Sequence, residues 1–323
     1  MSFSQIRFAR SRISRSHWFI LTTDPSSVEA AARSSADVVM FELEDAIPPE
    51  QKEVARKKVL EALNDIDWGE KTVSARISGL DSPFMYRDLI DVLEGPSERL
   101  DTIMIPKVGT AADVYAVDML VTQLEQATKR TNPIGLEVMI ETALGMTNIH
   151  AIAGASSRLE ALHLGENDYA TSLGMEIEVF GGPHSEYSVL TGTEESGARD
   201  RHWNDPWHYA LCRVASVARA HGLRPMDVGF INPKDPEGFL AAARRVAVLG
   251  FEGKWASSDE TVKLANEAFT PSKAAIQKAR RIVEAARSNT GARSFVLDGK
   301  PILMPQVRDA EALLEKARKM GIR

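Results

Sequence analysis

The stretch Ile134–Gly145, IGLEVMIETALG, decides the fold of this 323-residue chain. Its apolar run LEVMI predicts a buried β-strand that ends at the carboxylate of Glu141, and Thr142 stands where the next helix would begin. One strand–helix step later, a second apolar run, LEALHLG, ends in GENDYA, which carries Asp168 27 residues after Glu141. Two acids at the ends of successive parallel strands are what a divalent-metal site at the mouth of a barrel needs.

Apolar runs and amphipathic helices alternate on both sides of this stretch. The predicted strands are His17–Leu21, Ala36–Phe41, Thr72–Ile77, Asp101–Ile105, Leu136–Ile140, Leu159–Gly165, Pro225–Phe230 and Gly253–Ala256. Eight strand–helix steps, spaced by roughly 30 residues, predict a closed parallel (β/α)8 TIM barrel over residues 1–270 rather than an open doubly wound sheet. No glycine-rich phosphate fingerprint follows any of these strands, which disfavours a nucleotide-binding fold.

Two segments break the alternation of strands and helices. The polar stretch Met175–Pro206 predicts a long loop, of the kind that is usually functional or mobile. Near the C-terminus, two further helices, at about Ser272–Arg287 and Asp309–Met320, flank the turn-rich piece SFVLDGKPILM. Residues 271–323 are therefore predicted to form a C-terminal helical segment, which covers its own barrel as a lid or packs on a neighbouring subunit.

Composition narrows the function classes. The net charge of -6 gives no electrostatic reason to expect a nucleic acid or a membrane surface as partner. The single cysteine, Cys212, has no partner for an internal disulfide and is predicted to be a buried structural thiol, which suits a cytoplasmic location. The basic N-terminus has an apolar run too short for a membrane span and predicts an ordered arm before the first strand, with a mitochondrial-type presequence as the alternative.

Charged side chains follow most of the predicted strands, at the ends that face the active site of a parallel barrel. They are Glu42, Glu44, Asp45, Arg76, Lys107, Glu141, Asp168 and Asp227. Any one acid in such a position is typical of a helix N-cap, and Arg76 and Lys107 can simply neutralise acids. Together, however, so many acids at one mouth repel one another unless a cation compensates them. Glu141 and Asp168 as oxygen ligands of Mg²⁺ meet that need.

Six motifs, in order, carry a family resemblance. They are ADVVMFELEDAIPPEQK, SARISGLDSPF, DTIMIPKVGTAADV, LEVMIETALG, LHLGENDYA and FEGKWA. With RDRHWNDPWHYA, HGLRPMD and LANEAFTPS, the sequence over about residues 15–320 resembles the citrate lyase β-subunit/malyl-CoA lyase family of the HpcH/HpaI aldolase superfamily, and malyl-CoA lyases in particular. The resemblance implies a TIM barrel, Mg²⁺ on Glu141 and Asp168, and Arg76 beside the reacting carbonyl. It also implies a homo-oligomer, a trimer or a hexamer built as a dimer of trimers, in which the C-terminal segment closes a neighbour's site.

The chemistry implied by this resemblance is cleavage of a carbon–carbon bond in a small-molecule β-hydroxy acid or its CoA thioester. Cleavage leaves an enolate on one fragment and the carbonyl of a 2-oxo acid on the other. Mg²⁺ is expected to chelate the 2-hydroxy-carboxylate as a Lewis acid, and Arg76 to stabilise the enolate oxygen. Glu44 and Asp45 are expected to orient waters and Arg76.

Three departures from the family's pattern bear on the substrate. Malyl-CoA lyases follow strand one with a Gly-Pro-Gly-Ser-Arg-Pro-type turn and a later basic residue that bind CoA phosphates, whereas this chain has Asp24 in place of the arginine and Ala30 in place of the lysine. The family's Gly-Lys-Trp-Ala-Ile-His-Pro run ends here in Ser-Ser-Asp at residues 257–259, and its C-terminal catalytic aspartate is replaced by Leu303, with Asp298 upstream. Loss of two charge-assisted phosphate contacts is expected to weaken CoA binding by at least about a hundredfold, to dissociation constants of roughly millimolar.

These departures leave two kinds of enzyme open. One is a CoA-thioester lyase with a rearranged CoA site, and the other is a CoA-independent Mg²⁺ aldolase that acts on a free 2-oxo or hydroxy acid. An acyl-CoA thioesterase and a non-catalytic relative kept for assembly are further alternatives. An inactive relative has no need to keep Arg76, Glu141 and Asp168 together, which favours an enzyme.

Overall fold

The computed structural model describes residues 10, 12–177, 179–192, 197, 199–230, 232, 234–289 and 292–322, and the chain divides into two compact units, residues 1–268 and 269–323. The strands are β1 (Ser16–Ile20), β2 (Val38–Glu42), β3 (Thr72–Arg76), β4 (Thr102–Ile105), β5 (Gly135–Ile140), β6 (Leu159–Leu164), β7 (Ser188–Thr191), β8 (Asp200–Trp203), β9 (Arg224–Asp227), β10 (Gly253–Ala256), β11 (Ser294–Leu297) and β12 (Lys300–Leu303). The α-helices are α1 (Pro25–Arg33), α2 (Lys52–Asp65), α3 (Met85–Leu93), α4 (Ala111–Thr128), α5 (Ala143–Thr147), α6 (Ile149–Ala153), α7 (Glu166–Leu173), α8 (His208–Ala220), α9 (Pro236–Val248), α10 (Asp259–Phe269), α11 (Lys273–Ser288) and α12 (Met304–Lys319). Among the described helices, none is both long and apolar enough to cross a bilayer.

A closed parallel barrel is the centre of the first unit. Within the described residues its strands follow the order β1-β10-β9-β6-β5-β4-β3-β2. The predicted (β/α)8 TIM barrel is therefore confirmed, and each of the eight predicted strands is present close to its expected bounds. The largest shift is at β9, predicted as Pro225–Phe230, because the chain leaves the sheet after Asp227 and turns at Phe230, whose φ is 53°.

The segment Met175–Pro206, predicted as a long loop, contains a β-hairpin. Strands β7 and β8 pair antiparallel, with Ser188 opposite Trp203 and Thr191 opposite Asp200. Apart from half-buried Ser188, the side chains of both strands are exposed. The loop prediction is wrong over these strands, where β-branched and aromatic side chains support a local antiparallel pair. Because neither face of the pair is buried, the sequence shows no alternation of apolar and polar residues there.

Strand β5 shows how the barrel interior is layered. Glu137, Met139 and Glu141 occupy successive inward-facing positions, and the alternate apolar residues face the surrounding helices. The apolar layer consists of Met40, Met104, Met139 and Trp255. Glu137 therefore lies on the amino side of this layer, and Glu141 lies on its carboxyl side, at the mouth of the barrel.

Of the ordered arm that the sequence predicts before β1, residues 10 and 12–15 are described, and residues 1–9 and 11 lie outside the described residues. Nε of Arg12 lies 2.6 Å from Oε2 of Glu160, and its Nη1 lies 3.3 Å from Oδ1 of Asp101. Arg15 pairs with Asp37, with Nη2 2.7 Å from Oδ1. These ion pairs tie the arm to the amino end of the barrel.

The single cysteine is not buried as predicted. Cys212 is half-buried on α8, and its Sγ lies 3.5 Å from Nε2 of His208, one turn earlier. Leu211 and Val214 are among the residues of the same helix that are buried in the core. The prediction is wrong because Cys212 lies at the margin of the buried face of the helix, next to buried Leu211.

The second unit consists of two helices with a β-hairpin between them. Ser272 caps α11 by accepting a hydrogen bond from the backbone N–H of Ala275 at 3.1 Å. Strands β11 and β12 are joined by Asp298 and Gly299, whose φ angles of 54° and 73° suit a tight two-residue hairpin turn. The core of this unit is formed by Ala279, Ile282, Val283, Phe295, Ile302, Val307 and Ala310.

Candidate active site

Charged side chains from neighbouring strands meet at the carboxyl end of the barrel. They are Glu42, Glu44 and Asp45 from β2 and the residues after it, Arg76 from β3, and Lys107 and Glu141 from the turns after β4 and β5. Their hydrogen bonds and ion pairs form one connected network from Glu42 to Glu141. The structure thus brings together six of the eight predicted strand-end residues, and the charge of Asp168 also acts on Glu141.

Arg76 is held by two acids and an aromatic ring. Its Nε and Nη2 each lie 2.6 Å from Oε2 of Glu42, and its Nη1 lies 3.4 Å from Oε2 of Glu44. The guanidinium carbon is 5.5 Å from the centre of the Trp255 ring. Burial alone would lower the pKa of Arg76, but the carboxylates of Glu42 and Glu44 raise it, so the side chain stays a cation. A fixed, half-buried cation whose fork carries more N–H donors than these contacts use is suited to stabilise an oxyanion.

Lys107 links the acids after β2 to Glu141. Its Nζ lies 2.6 Å from Oε1 of Glu44 and 2.7 Å from Oδ2 of Asp45, and its backbone N–H donates to Oε1 of Glu141 at 2.7 Å. The residue has a φ of 52°, a left-handed conformation that is unfavourable for a residue other than glycine. The turn at Lys107 therefore directs its backbone to one acid and its ammonium group to two others.

Lys52 on α2 fixes the backbone that carries Glu44 and Asp45. Its buried Nζ donates to the carbonyl oxygens of Leu43 at 2.5 Å and Glu44 at 2.7 Å. Burial raises the pKa of Glu44, although Arg76 and Lys107 oppose it. Burial also acts to raise the pKa of Asp45, but the hydrogen bonds with Lys107 and Glu44 and the charges of Lys107 and Arg76 together outweigh it, so the pKa is lowered. The pKa values of these two adjacent acids are therefore shifted in opposite directions.

Glu141 is a buried acid of the mouth whose negative charge its neighbours compensate only in part. Burial is the main cause that raises its pKa to about 8, and the negative charge of Asp168 acts in the same direction against the hydrogen bond from Lys107. The chain packs closely around this carboxylate, since a Cβ at Gly165 would lie 2.7 Å from Oε2 of Glu141. Only a glycine fits there without displacing the acid.

Asp168 lies in the first turn of α7, directly after β6, and is half-buried. Its charge acts on Glu141, whose own charge is costly in this buried position. Two neighbouring carboxylates without enough positive charge to balance them are a donor set that suits a hard divalent cation such as Mg²⁺. The residues present therefore fit the metal that the sequence predicts.

Asp227, the remaining acid of the predicted set, has a different partner. Nζ of buried Lys254 hydrogen-bonds to Oδ2 of Asp227 and to the carbonyl oxygen of Gly229. Burial and the neighbouring Asp227 raise the pKa of Glu166 well above its usual range. Among the described residues, Asp227 therefore belongs to a buried ion cluster with Lys254.

Sequence reasoning missed the roles of Glu42, Lys52 and Trp255. The strand register pairs Glu42 with Arg76, so their position at the ends of adjacent strands was the signal for this contact. Trp255 lies in the FEGKWA motif, but nothing in that motif indicates that its ring packs beneath a guanidinium group. Lys52 is an ordinary helix residue by pattern, and only the fold directs it to the backbone after β2.

The residues that depart from the family's CoA-binding pattern lie on and before α1. Asp24 is the N-cap of α1, and its Oδ1 accepts hydrogen bonds from the backbone N–H of Ser26 at 3.0 Å and from its hydroxyl at 2.7 Å. The hydrogen bonds from Ser26 lower the pKa of Asp24. Ala30 is half-buried on the same helix. A carboxylate thus occupies the positive end of α1, where an anionic ligand would otherwise be favoured.

In the second unit, Leu303 stands at the position of the family's catalytic aspartate. Leu303 is exposed, and its backbone N–H donates to Oε1 of Gln306 at 2.8 Å. The upstream Asp298 forms an ion pair with Arg281 inside this unit.

Comparisons with known proteins agree on the family. A model of the HpcH/HpaI aldolase/citrate lyase family matches residues 15–258. The L-malyl-CoA/beta-methylmalyl-CoA lyase of Cereibacter sphaeroides is 46% identical over 296 residues, 91% of each chain, and that of Rhodobacter capsulatus is 45% identical over 319 residues, 98% of each chain. CitE of Mycobacterium tuberculosis, solved in complex with magnesium, acetoacetate and coenzyme A, superposes with a TM-score of 0.68 at 24% identity, covering 95% of this chain and 98% of that one.

The two curated relatives are named lyases, so the predicted class of enzyme, a carbon–carbon lyase, is confirmed at the level of the family. The CitE structure, at 24% identity, supports the fold alone. The predicted family resemblance is likewise confirmed by the matched region and by the identity over nearly the whole length. The chain belongs to the HpcH/HpaI aldolase/citrate lyase family.

Proposed function

We propose that the protein is a Mg²⁺-dependent lyase that cleaves the carbon–carbon bond of a β-hydroxy acid presented as its CoA thioester. One observation carries the proposal: the half-buried cation Arg76, fixed by Glu42 and Glu44, lies in the same network as Glu141, a buried acid whose pKa burial raises to about 8. The names of the curated relatives, which are malyl-CoA lyases, support the thioester as substrate.

In this proposal Glu141 and Asp168 hold Mg²⁺, which when bound supplies Lewis acidity to the carbonyl of the 2-oxo fragment. Arg76 donates hydrogen bonds to the enolate oxygen of the other fragment as the carbon–carbon bond breaks. Its cationic charge is already in place before the reaction, because Glu42 and Glu44 hold it there. No reorganisation of the site is needed when negative charge develops on the substrate.

Glu44 and Asp45 are proposed to act by holding other groups. Glu44 contacts Arg76 and Lys107, and Asp45 contacts Lys107. Lys107 in turn holds Glu141 through its backbone N–H. A change at Glu44 is therefore expected to disturb both the cation and the acid of the site.

The C-terminal segment, residues 271–323, is proposed to be a lid or an oligomerisation segment. Leu303 carries no acid, and Asp298 forms an ion pair with Arg281, so we propose that the proton-transfer group is another residue. A homo-oligomer, a trimer or a hexamer, and a cytoplasmic location remain predictions.

A CoA-independent aldolase is the second candidate, and the carboxylate of Asp24 at the N-terminus of α1 favours it. A product assay separates the candidates. Malyl-CoA and free malate are each incubated with the protein and Mg²⁺, and the 2-oxo acid and acetyl-CoA are quantified. A 2-oxo acid from malyl-CoA supports the thioester lyase, a 2-oxo acid from malate alone supports the aldolase, and free CoA without a 2-oxo acid indicates a thioesterase. No product from either substrate would contradict both lyase candidates.

CoA affinity gives a second, independent test. By calorimetry, we expect acetyl-CoA to bind with a dissociation constant of roughly 1 mM, because two charge-assisted contacts are missing. The variant Asp24→Arg/Ala30→Lys should bind more tightly. Asp24→Asn is the matched control, because asparagine keeps the helix cap and removes only the charge. Micromolar binding by the unmodified protein would contradict the weak-binding prediction and would place the phosphate contacts elsewhere.

A further inference from the structure

The ring of Trp255 forms the floor beneath Arg76. The guanidinium carbon lies 5.5 Å from the ring centre, and the ring itself is buried in the apolar layer of the barrel. At the edge of the ring, the indole Nε1–H donates to Nδ1 of His163 at 3.1 Å. The orientation of the surface on which Arg76 rests thus depends on a hydrogen bond made inside the barrel.

The hydrogen bonds around His163 determine its tautomer. An indole N–H can only donate, so Nδ1 of His163 accepts and the ring proton is on Nε2. Nε2 lies 3.1 Å from Oε2 of Glu137 and donates to it. Oε1 of Glu137 accepts from Nη2 of Arg224 at 2.8 Å. A chain of hydrogen bonds with fixed directions therefore runs from Trp255 to Arg224.

Each member of this chain is buried, so an alternative arrangement is costly. Rotation of His163 would leave the Trp255 N–H and one oxygen of Glu137 without partners in the barrel interior. A buried polar group without a partner costs about 1–3 kcal/mol. The chain therefore has one favoured arrangement, and with it one favoured orientation of the indole ring.

His17, Glu137 and His163 also have the composition of a metal site, since one ligand atom of each lies within 4.8 Å of the others. A metal on Nε2 of His163 would require the ring proton on Nδ1, where Trp255 already donates a proton. Histidines that bind metals donate their second N–H to an acceptor, which is the opposite arrangement. The geometry fits a hydrogen-bond chain and does not fit metal ligation.

We propose that His163 is a positioning residue for the lyase reaction and acts on Arg76 through Trp255. It holds the indole ring beneath the guanidinium group, while Glu42 accepts hydrogen bonds from the edge of that group, so that the remaining donors of Arg76 are free for the substrate. The proposal rests on the proposed role of Arg76 in stabilising the enolate.

Two substitutions at His163 separate its two hydrogen bonds. His163→Asn places an acceptor near the position of Nδ1 and loses the donor to Glu137, whereas His163→Gln places a donor near the position of Nε2 and loses the acceptor for Trp255. We expect kcat to stay within about threefold in His163→Asn and to fall about tenfold or more in His163→Gln, because small displacements of a positioned group cost rate. KM should change by less than about twofold in both variants, since Arg76 still carries its charge.

Trp255→Phe keeps an aromatic floor and removes the indole donor. It should lower kcat like His163→Gln, and the double variant should lose little more, because both changes remove the same link. Trp255→Phe also tests the proposal if His163→Gln does not fold. Equal losses of kcat in His163→Asn and His163→Gln, or full additivity in the double variant, would overturn the proposal.

The indole N–H resonance of Trp255 provides a readout that does not depend on activity. In protein labelled with ¹⁵N-tryptophan, the resonance is assigned by its absence in Trp255→Phe. It should keep its shift in His163→Asn, and it should move in both His163→Gln and Arg76→Lys. If the protein has no lyase activity and the resonance behaves in this way, the proposed function fails and the link between His163 and Arg76 stands. Two results would overturn the link itself. One is a Trp255 resonance whose chemical shift stays the same in Arg76→Lys. The other is stoichiometric zinc bound to the unmodified protein and absent from both His163 variants.

Discussion

Glu137 and Glu141 lie four residues apart on the same side of strand β5 and its extension, and both are buried, yet their surroundings differ. Burial alone would raise the pKa of Glu137, but the hydrogen bond from His163 and the charge of Arg224 lower it overall. Burial raises the pKa of Glu141 to about 8, and the nearby Asp168 adds to the effect. One barrel strand thus carries one acid balanced by the protein and one acid that is not.

The difference indicates which acid serves the fold and which serves the chemistry. A buried acid that is already paired has no use for an external cation, and removing it leaves its partner unbalanced. A buried acid with a strongly raised pKa next to another acid is a candidate for a functional site. We therefore expect changes at Glu137 to act on stability, and changes at Glu141 to act on activity.

Glu141→Gln should have the largest effect on the reaction. Glutamine can still accept the hydrogen bond from the Lys107 backbone, but it cannot supply the charge that a two-carboxylate Mg²⁺ site needs. We expect kcat to fall by at least about a thousandfold, the scale of several kcal/mol of lost charge stabilisation. The urea midpoint of the metal-free protein should not fall. Asp168→Asn removes the other proposed ligand and should also lower kcat strongly. Full activity in either variant, or activity that EDTA leaves unchanged, would contradict the assignment.

Glu137→Gln should have the largest effect on stability. Within the described part of the chain, it leaves the guanidinium of Arg224 with Glu160 as its carboxylate partner, at 3.3 Å, and it weakens the contact with His163. Breaking a buried ion pair by removing one partner costs about 3–5 kcal/mol, and we expect the lower end because Glu160 remains. Urea unfolding of Glu137→Gln beside Glu141→Gln gives the comparison directly. A smaller loss of unfolding free energy in Glu137→Gln than in Glu141→Gln would reverse our assignment of the two acids.

Arg76→Lys tests the cation of the mouth. Lysine keeps the charge but loses the planar fork that contacts Glu42 and faces the substrate. We expect kcat to fall by about a hundredfold, in line with loss of an oxyanion donor, with a smaller change in KM. Steady-state kinetics and a thermal midpoint are measured on the same preparation. An effect confined to KM would mean that Arg76 only binds the substrate.

The barrel could be predicted from the sequence because burial repeats along the chain with a clear period. The strands around Glu141 and Asp168 are runs of apolar residues between helices, so their order and direction follow from pattern alone. The side chains at the mouth, including Arg76 and Lys107, could be predicted because the ends of parallel strands meet at one edge. The register that pairs Glu42 with Arg76 was predictable in principle from the same ends.

The contacts inside the barrel could not be predicted in the same way. His163 and Glu137 look like interruptions of apolar strands in the sequence, and only the closure of the barrel brings them to Trp255 and Arg224. The left-handed backbone of Lys107 has no signal either, since the preceding proline says nothing about its φ. Long-range geometry of this kind depends on which strands become neighbours across the interior, and periodicity along one strand does not contain it.

The smallest predicted effect concerns His17, which faces the same interior as Glu137. Its imidazole is fully buried, and neither ring nitrogen has a hydrogen-bond partner among the described residues. Burial is the main cause that lowers the pKa of His17 to about 3, with His163 and Arg224 acting in the same direction and Glu137 against it. His17 is therefore neutral in the folded protein at neutral pH.

The sign of the resulting pH dependence follows from the two states. The unfolded chain binds a proton at His17 below a pKa of about 6.5, whereas the folded protein binds it only near pH 3, so the unfolded state holds one more proton between these values. Stability from His17 is complete above pH 6.5 and falls as the pH is lowered through this window, by about 2 kcal/mol between pH 7 and pH 5. His17→Gln cannot titrate, so its free energy of unfolding, measured in urea at both pH values, should fall by about 2 kcal/mol less than that of the unmodified protein. The lowered pKa of Glu137 also makes the free energy of unfolding fall in acid. This loss occurs in the unmodified protein and in His17→Gln alike, so it cancels when the two proteins are compared. An equal pH dependence of the unfolding free energy in the two proteins would mean that His17 is protonated in the folded state at pH 5. The positive charge of His17 would then belong to the charges that balance Glu137.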